Sequence, residues 1–278
     1  FRTEATEVRR SRRLVVSFIA TVGNYEYGFY WYFYQDGTIE LDIKMTGILS
    51  TAATHPDAPS PYGTMLNDGL YAPNHQHVFC TRLDMAVDGP NNTVVEVNTT
   101  AAPAGEDNPY GNAFYAKPTA LKTEQEAQRL IDPFAARYWQ ITNPSSTNKT
   151  GAPVAYKLLP GENTLPFAQP DSSIAKRGAY MWKHLWVTPY SPNERYPAGD
   201  YPNQHQGGDG LPAWTQADRS VENTDLVVWY VMNGNHIARL EDWPVMPVTN
   251  IGFKLKPSGF FDHNPALDVP PSNGAHCH

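Results

Sequence analysis

The sequence predicts an all-β fold, built as one large body of many short strands joined by turns. Three observations carry this. The 278 residues include 25 Pro and 20 Gly, where an average share of about 5% would give about 14 prolines. So many breakers leave little room for long helices, coiled coils or solenoids. Aromatic residues reach 12%, with 16 Tyr, and aromatic and β-branched side chains favour strands. Several short apolar runs are separated by turn signals, the punctuation of strands joined by loops.

Leu14 to Val22 is apolar and rich in β-branched residues, which predicts a buried strand. Tyr27–Tyr34 and Thr38–Ile48 flank Asp36-Gly37, a hairpin turn signal. In the second arm Ile39, Leu41, Ile43 and Met45 alternate with Glu40, Asp42 and Lys44. Successive strand side chains point to opposite faces, so this arm is half-buried. Residues 54–74 read as a loop. His75–Asp84 reads as a strand, and Asp88-Gly89 turns the chain into Thr93–Val97. Residues 99–113 read as a projecting loop or arm. Thr123-Glu124-Gln125-Glu126 resembles a capping box and predicts a short helix to about Leu130. Residues 189–214 again read as loop, and Asp225–Met232 and Ile251–Leu255 as strands. No repeat and no sharp change of composition marks a domain boundary.

The composition also excludes function classes. Charged residues are only 18%, and 28 acidic against 21 basic side chains leave a net charge of −7. That gives no general attraction to nucleic acid or to an anionic membrane. The basic cluster Arg9, Arg10, Arg12 and Arg13 reads as a solvated lead-in to the first strand. No run approaches 18 apolar residues, so no transmembrane helix is expected. Cys80 and Cys277 allow one bridge but no disulfide scaffold. The opening Phe1-Arg2-Thr3-Glu4 reads as a cut rather than a natural start.

Three features carry chemistry. His75-Gln76-His77 puts two imidazoles on one face of a strand, where both can reach a copper, zinc, iron or nickel ion. A third ligand is needed, and spacing cannot choose among His55, His184, His205, His236, His263, His276 and His278. Thr21-Val22-Gly23-Asn24-Tyr25-Glu26 reads, on physics alone, as a buried tyrosine at a strand joint. Asp84-Met85 and Asp225-Leu226 set two carboxylates and two carbonyls at strand ends. Such a set either faces solvent or holds a hard cation.

Thr21 to Glu26 resembles the copper amine oxidase signature of Thr, two variable residues, Asn, Tyr and an acid. His75-Gln76-His77 resembles that family's histidine pair. Asn235-His236 with Glu241-Asp242-Trp243-Pro244-Val245-Met246-Pro247 resembles the segment of its third ligand. His236 lies 159 residues after His77, a separation similar to that of bacterial members. The resemblance runs from about Arg10 to the end of the chain. It implies that residues 1–278 are the C-terminal portion of the family's catalytic domain, a large antiparallel β-sandwich here lacking its N-terminal part.

The resemblance also implies chemistry. Copper would be held by His75, His77 and His236. Tyr25 would be the precursor of topaquinone, with Asn24 restraining the quinone ring. A primary amine would form a Schiff base with the quinone, and aldehyde, ammonia and, from dioxygen, hydrogen peroxide would be released. Asp84, Met85, Asp225 and Leu226 would form a second site for calcium or another divalent cation. Residues near 96–128 and 195–214 fall where the family sends arms to a partner, so a homodimer is implied. The family's base is an upstream aspartate, and only Glu4 and Glu7 precede Tyr25 as acids. The chain alone is therefore expected to lack turnover. Two rival readings stand beside this one: a cupin-like mononuclear metal oxygenase without a quinone, and a non-catalytic β-sandwich binding module. The reading leaves the amine open and favours a soluble cytoplasmic protein over a secreted one. Asn91, Asn98 and Asn148, which begin Asn-x-Thr triplets, and the tail Ala275-His276-Cys277-His278 are read as incidental.

Overall fold

The computed structural model describes residues 8, 10–55 and 60–266. Its strands, in chain order, are β1 (Arg13–Val22), β2 (Tyr25–Tyr34), β3 (Ile39–Ile48), β4 (Ala52–Ala53), β5 (Gly63–Asn67), β6 (Leu70–Pro73) and β7 (His75–Met85). There follow β8 (Thr93–Ala101), β9 (Phe114–Leu121), β10 (Tyr138–Thr147), β11 (Pro153–Pro160), β12 (Leu185–Pro189), β13 (Leu226–His236) and β14 (Val245–Ser258). The α-helices are short: α1 (Ser173–Arg177) and α2 (Leu211–Trp214).

An eight-stranded sheet runs β1-β2-β3-β14-β11-β10-β8-β9, and a three-stranded sheet runs β12-β13-β7. Every pairing in both is antiparallel. The two sheets face each other across the main core. Leu41 and Ile43 of β3, Trp139 and Ile141 of β10 and Phe253 of β14 pack there against Leu226, Val228, Tyr230 and Met232 of β13. The other face of β13 sends Val227, Trp229 and Val231 into a second cluster with Trp186, Leu211, Tyr180 and Trp214. A strand buried on both faces needs a continuous apolar run, and Leu226–Met232 supplies one. Each fully buried aliphatic or aromatic side chain contributes about 1.5–3 kcal/mol through the hydrophobic effect. A small sheet, β4-β6-β5, sits beside a third cluster of Leu49, Ala72, Ala238 and Met246 that Tyr25 joins.

The hairpins follow their turn residues. Gly37 takes φ +81° between β2 and β3, and Leu41 and Ile43 are buried as the alternation predicts. Four expectations are corrected. Residues 54–74 hold β5 and β6 rather than an unstructured loop. Thr123 to Leu130 is a turn, not a helix. Thr123 pairs with Ser220, and the buried Glu124 is held by the Arg219 guanidinium and backbone N–H. Those bonds reach across the molecule and fix the chain before a helical turn can propagate. Residues 189–214 are loop only until Leu211, where α2 begins. β1 forms where expected but is exposed, because it is the edge of the large sheet. Leu14, Val16, Phe18 and Ile19 remain open, with Phe18 stacked on Phe29.

Arg13 of the basic lead-in donates to the Tyr34 hydroxyl and lies over the Tyr32 ring, while Arg9 lies outside the described residues. So do Glu4, Glu7, His276, Cys277 and His278, and with Cys277 the one bridge that the two cysteines allow. Burial pushes the Cys80 thiol well up, which keeps it protonated and unreactive.

Candidate metal centre

β7 begins with His75-Gln76-His77, and the antiparallel register pairs His236, at the end of β13, directly with His75. Cross-strand neighbours lie about 4.5–5.5 Å apart at Cβ, and residues two apart share a face. Three imidazoles therefore converge. One ligand atom from each lies within 4.8 Å of the others, and among the described residues no other group of three His, Cys, Asp or Glu side chains comes so close.

The outer partners of the rings decide which nitrogen faces inward. His75 Nδ1 lies 3.0 Å from the Pro73 carbonyl oxygen. His236 Nε2 lies 3.1 Å from Asp242 Oδ2. A carbonyl and a carboxylate can only accept, so those two nitrogens carry the hydrogens. The remaining atoms, His75 Nε2 and His236 Nδ1, then face each other at 3.2 Å as two lone pairs. A metal cation between them would satisfy both. The gap matches two nitrogens about 2.0–2.1 Å from one metal ion. His77 Nδ1 lies 2.8 Å from the Tyr27 hydroxyl, leaving Nε2 as its inward atom. The donor set of three imidazoles fits copper.

The electrostatics agree. Burial, with the neighbouring imidazoles His75 and His236, lowers His77 to about 4. His75 is lowered too, chiefly by burial, against its bond to Pro73. Both rings are thus neutral near pH 7, as ligation requires. Asp242 is fixed by a short 3-10 turn, Leu240–Asp242. Burial opposes its ionisation, but the Arg239 side chain and backbone N–H and His236 outweigh it and hold the carboxyl at about 2.

Tyr25 opens β2 after the two-residue turn Gly23-Asn24, where Gly23 takes φ +59°. Its ring centroid lies 5.3 Å from both the His75 and the His77 rings. Its hydroxyl accepts from Ser50 N at 3.4 Å, and Asn24 Nδ2 donates to Ser50 Oγ at 3.5 Å. Asn24 and Tyr25 thus meet at Ser50. A cavity of about 50 Å³ lies between Tyr25, His77, His236, Asp242, Met45 and Met246. A larger cleft of about 850 Å³ lies behind β7, against Val78, Tyr180 and Met181. There His75 and Asn235 also form the wall, and the Gln76 side chain is engaged by Thr164, Leu165 and Phe167; the smaller cavity is the one that brings Tyr25, His77 and His236 together.

Pairing of Leu226 with Met85 brings Asp84 and Asp225 to one end of β7–β13, both exposed. Of the other histidines, His184 is structural: its Nδ1 accepts from Ile131 N and its Nε2 donates to the Thr164 carbonyl. His205 Nδ1 accepts from Gly207 N. Sequence reasoning missed Tyr27, Asp242 and the Pro73 carbonyl as outer partners. Tyr27 was findable, since i and i+2 in β2 share the face of Tyr25. Asp242 lay within the quoted motif without a role.

Residues 1–276 match the family described as "Copper amine oxidase, enzyme domain". The chain is 54% identical over 272 residues to a histamine oxidase of Arthrobacter globiformis, covering 98% of this chain and 40% of that protein. It is 51% identical over 276 residues to a peroxisomal copper-containing diamine oxidase of Nicotiana tabacum, covering 98% of this chain and 35% of that one. The solved structure of a copper-containing benzylamine oxidase from Hansenula polymorpha superposes with a TM-score of 0.89 at 39% identity, over 94% of this chain and 41% of that one. The chain thus spans less than half the length of these relatives.

Proposed function

The chain belongs to the copper amine oxidase family, and on that footing we propose that it is the C-terminal portion of a catalytic domain that oxidises primary amines to aldehyde, ammonia and hydrogen peroxide. The observation that carries this is Tyr25 lying 5.3 Å, ring to ring, from two imidazoles of a three-histidine cluster. A lone metal site has no need of a phenol there.

His75, His77 and His236 would hold copper. When bound, copper supplies the redox chemistry toward dioxygen, and topaquinone, formed from the Tyr25 side chain, the electrophilic carbonyl that no ordinary residue offers. The protein's own groups set the stage. The Pro73 carbonyl and Asp242 fix two ring orientations, and such outer partners tune ligands. Ser50 and Asn24 restrain the Tyr25 end of β2. Met45 and Met246 give the cavity an apolar wall. Amine oxidation also needs a base for the proton next to the nitrogen. Among the described residues the carboxylate lining the cavity is Asp242, and it is held by His236 and Arg239. The chain by itself is therefore expected to bind an amine-like probe without turning over benzylamine or tyramine.

Asp84, Asp225 and the carbonyls of Met85 and Leu226 are proposed as a second site, for calcium or another divalent cation. Support comes from their shared strand end and from two exposed carboxylates, a hard oxygen donor set. A homodimer is proposed from the β8–β9 hairpin, whose far end exposes Tyr110, Phe114 and Tyr115. A soluble, cytoplasmic protein is proposed over a secreted one. Of the three Asn-x-Thr sites, the side-chain nitrogens of Asn98 and Asn148 are engaged by Glu96 and the Gly259 carbonyl, bonds that a glycan would displace, while Asn91 is exposed. No helix among the described residues is long and apolar enough to cross a membrane.

Phenylhydrazine tests the reading. After aerobic exposure to copper, a coloured adduct mapping to Tyr25 is expected. Copper bound without an adduct would favour the mononuclear metal reading, and neither would favour a binding module.

A further inference from the structure

We infer that Tyr27 is a positioning residue for the copper centre, its phenol holding the His77 ring so that Nε2 is presented to the metal. The inference rests on the copper reading of the three histidines. The Tyr27 hydroxyl is 2.8 Å from His77 Nδ1, and the two rings meet edge-on, with centroids 5.5 Å apart at 69°. Phe79 braces the far side of Tyr27, also edge-on at 5.3 Å. The phenol is thus fixed from both sides and cannot swing away from the imidazole.

The chemistry of the three outer partners differs. The Pro73 carbonyl and the Asp242 carboxylate accept only, so His75 and His236 each have one permitted tautomer. A phenol both donates and accepts. Tyr27 therefore tolerates either His77 tautomer in the empty centre. In the loaded centre Nε2 gives its lone pair to the metal, Nδ1 carries the hydrogen, and the phenol oxygen accepts it. Tyr27 is distinct from Tyr25 in this respect. The Tyr25 ring lies against His75 and His77 together, whereas the Tyr27 hydroxyl engages the outward nitrogen of His77, away from the metal.

The test uses the full 278-residue chain and its Tyr27→Phe variant. Phe keeps the contacts to His77 and Phe79 and removes only the hydroxyl. Copper(II) affinity is measured by chelator competition, and the hydrogen bonding of the remote imidazole nitrogens by pulsed EPR of the copper(II) protein. Loss of an outer partner costs about 10–100-fold in metal affinity, and that fall is expected in Y27F. One remote-nitrogen signal shifts with it, and the melting temperature of the metal-free protein is unchanged. Tyr30→Phe, on the opposite face of β2, leaves all three readouts as in the parent. Unchanged affinity and unchanged remote-nitrogen signals in Y27F overturn the inference. A lowered metal-free melting temperature with unchanged signals makes Tyr27 a packing residue and overturns it too. A parent chain whose copper(II) spectrum lacks three imidazole nitrogens overturns the copper reading and the inference together.

Discussion

At the scale of single residues, the position of Tyr25 depends on a side chain that is absent. Gly47 pairs with Tyr25 across β2 and β3 at φ +121°. A Cβ there would lie 2.5 Å from the Asn24 carbonyl oxygen and 2.8 Å from Tyr25 Cα. Both neighbours are backbone and cannot give way without moving the ring. Gly47→Ala is expected to destabilise the protein by about 1–3 kcal/mol and to lower the yield of phenylhydrazine adduct at Tyr25. Thermal melting and adduct absorbance check this, and an unchanged adduct yield would contradict it. His236→Ala removes the ligand opposite His75. Copper per chain is expected to fall to near zero at micromolar metal, measured by atomic absorption after gel filtration. The histidine pair was legible because i and i+2 share a strand face. His236 was not legible from spacing, because only the strand register that sets it opposite His75 singles it out from seven candidates. The resemblance supplied what local pattern could not.

At the scale of elements, buried charge organises the large sheet. Glu96 of β8 is almost fully buried. It accepts two bonds from the Arg129 guanidinium at 2.7 and 2.8 Å and one from Trp139 Nε1 at 3.2 Å, with Arg137 at 3.3 Å. Burial opposes its ionisation, but the Arg129 hydrogen bonds and the two guanidinium charges outweigh burial and lower its pKa below the ordinary 4.5. A depressed carboxylate contributes stability above its unfolded value and loses it as pH falls through the folded one. Glu96→Gln breaks a buried pair and is expected to cost about 3 kcal/mol near neutral pH. The deficit stays constant above about pH 4.5 and shrinks below it, as melting curves at stepped pH would show. A deficit that grows on acidification would contradict this. β2 and β3 were legible from the Asp36-Gly37 turn between them and the alternation of β3, and β13 from its continuous apolar run. The expected helix at Thr123 was misread because its four-residue pattern is local, whereas the bonds that fix Glu124 come from Arg219, 95 residues away.

At the scale of the whole molecule, the all-β class was legible from composition and the sandwich from the resemblance, while the exposure of the first strand was legible from neither. β1 carries Leu14, Val15, Val16, Phe18 and Ile19, a run that reads as buried. Among the described residues only its hairpin partner β2 pairs with it. An apolar edge strand is a template for pairing with other chains. Phe18→Lys, which charges the edge, is expected to raise the monomeric fraction of this chain at a given concentration, measured by sedimentation velocity. An unchanged fraction would mean that β1 does not drive association. The three-histidine cluster faces β2 from β7 and β13, and Tyr25 and Tyr27 reach across the sandwich to it. The three histidines come from two strands of one sheet and Tyr25 from the opposing sheet, so the tyrosine meets the histidines only when both sheets have docked.

That dependence makes one measurement the most direct. The purified chain is exposed to copper(II) and air, digested, and the mass of the peptide containing Tyr25 is recorded. The account predicts that Tyr25 gains the oxygens of a quinone while Tyr27 stays unmodified, and that the change is absent without copper or in the His236→Ala variant. An unmodified Tyr25 in a chain shown to hold copper on His75, His77 and His236 would contradict it.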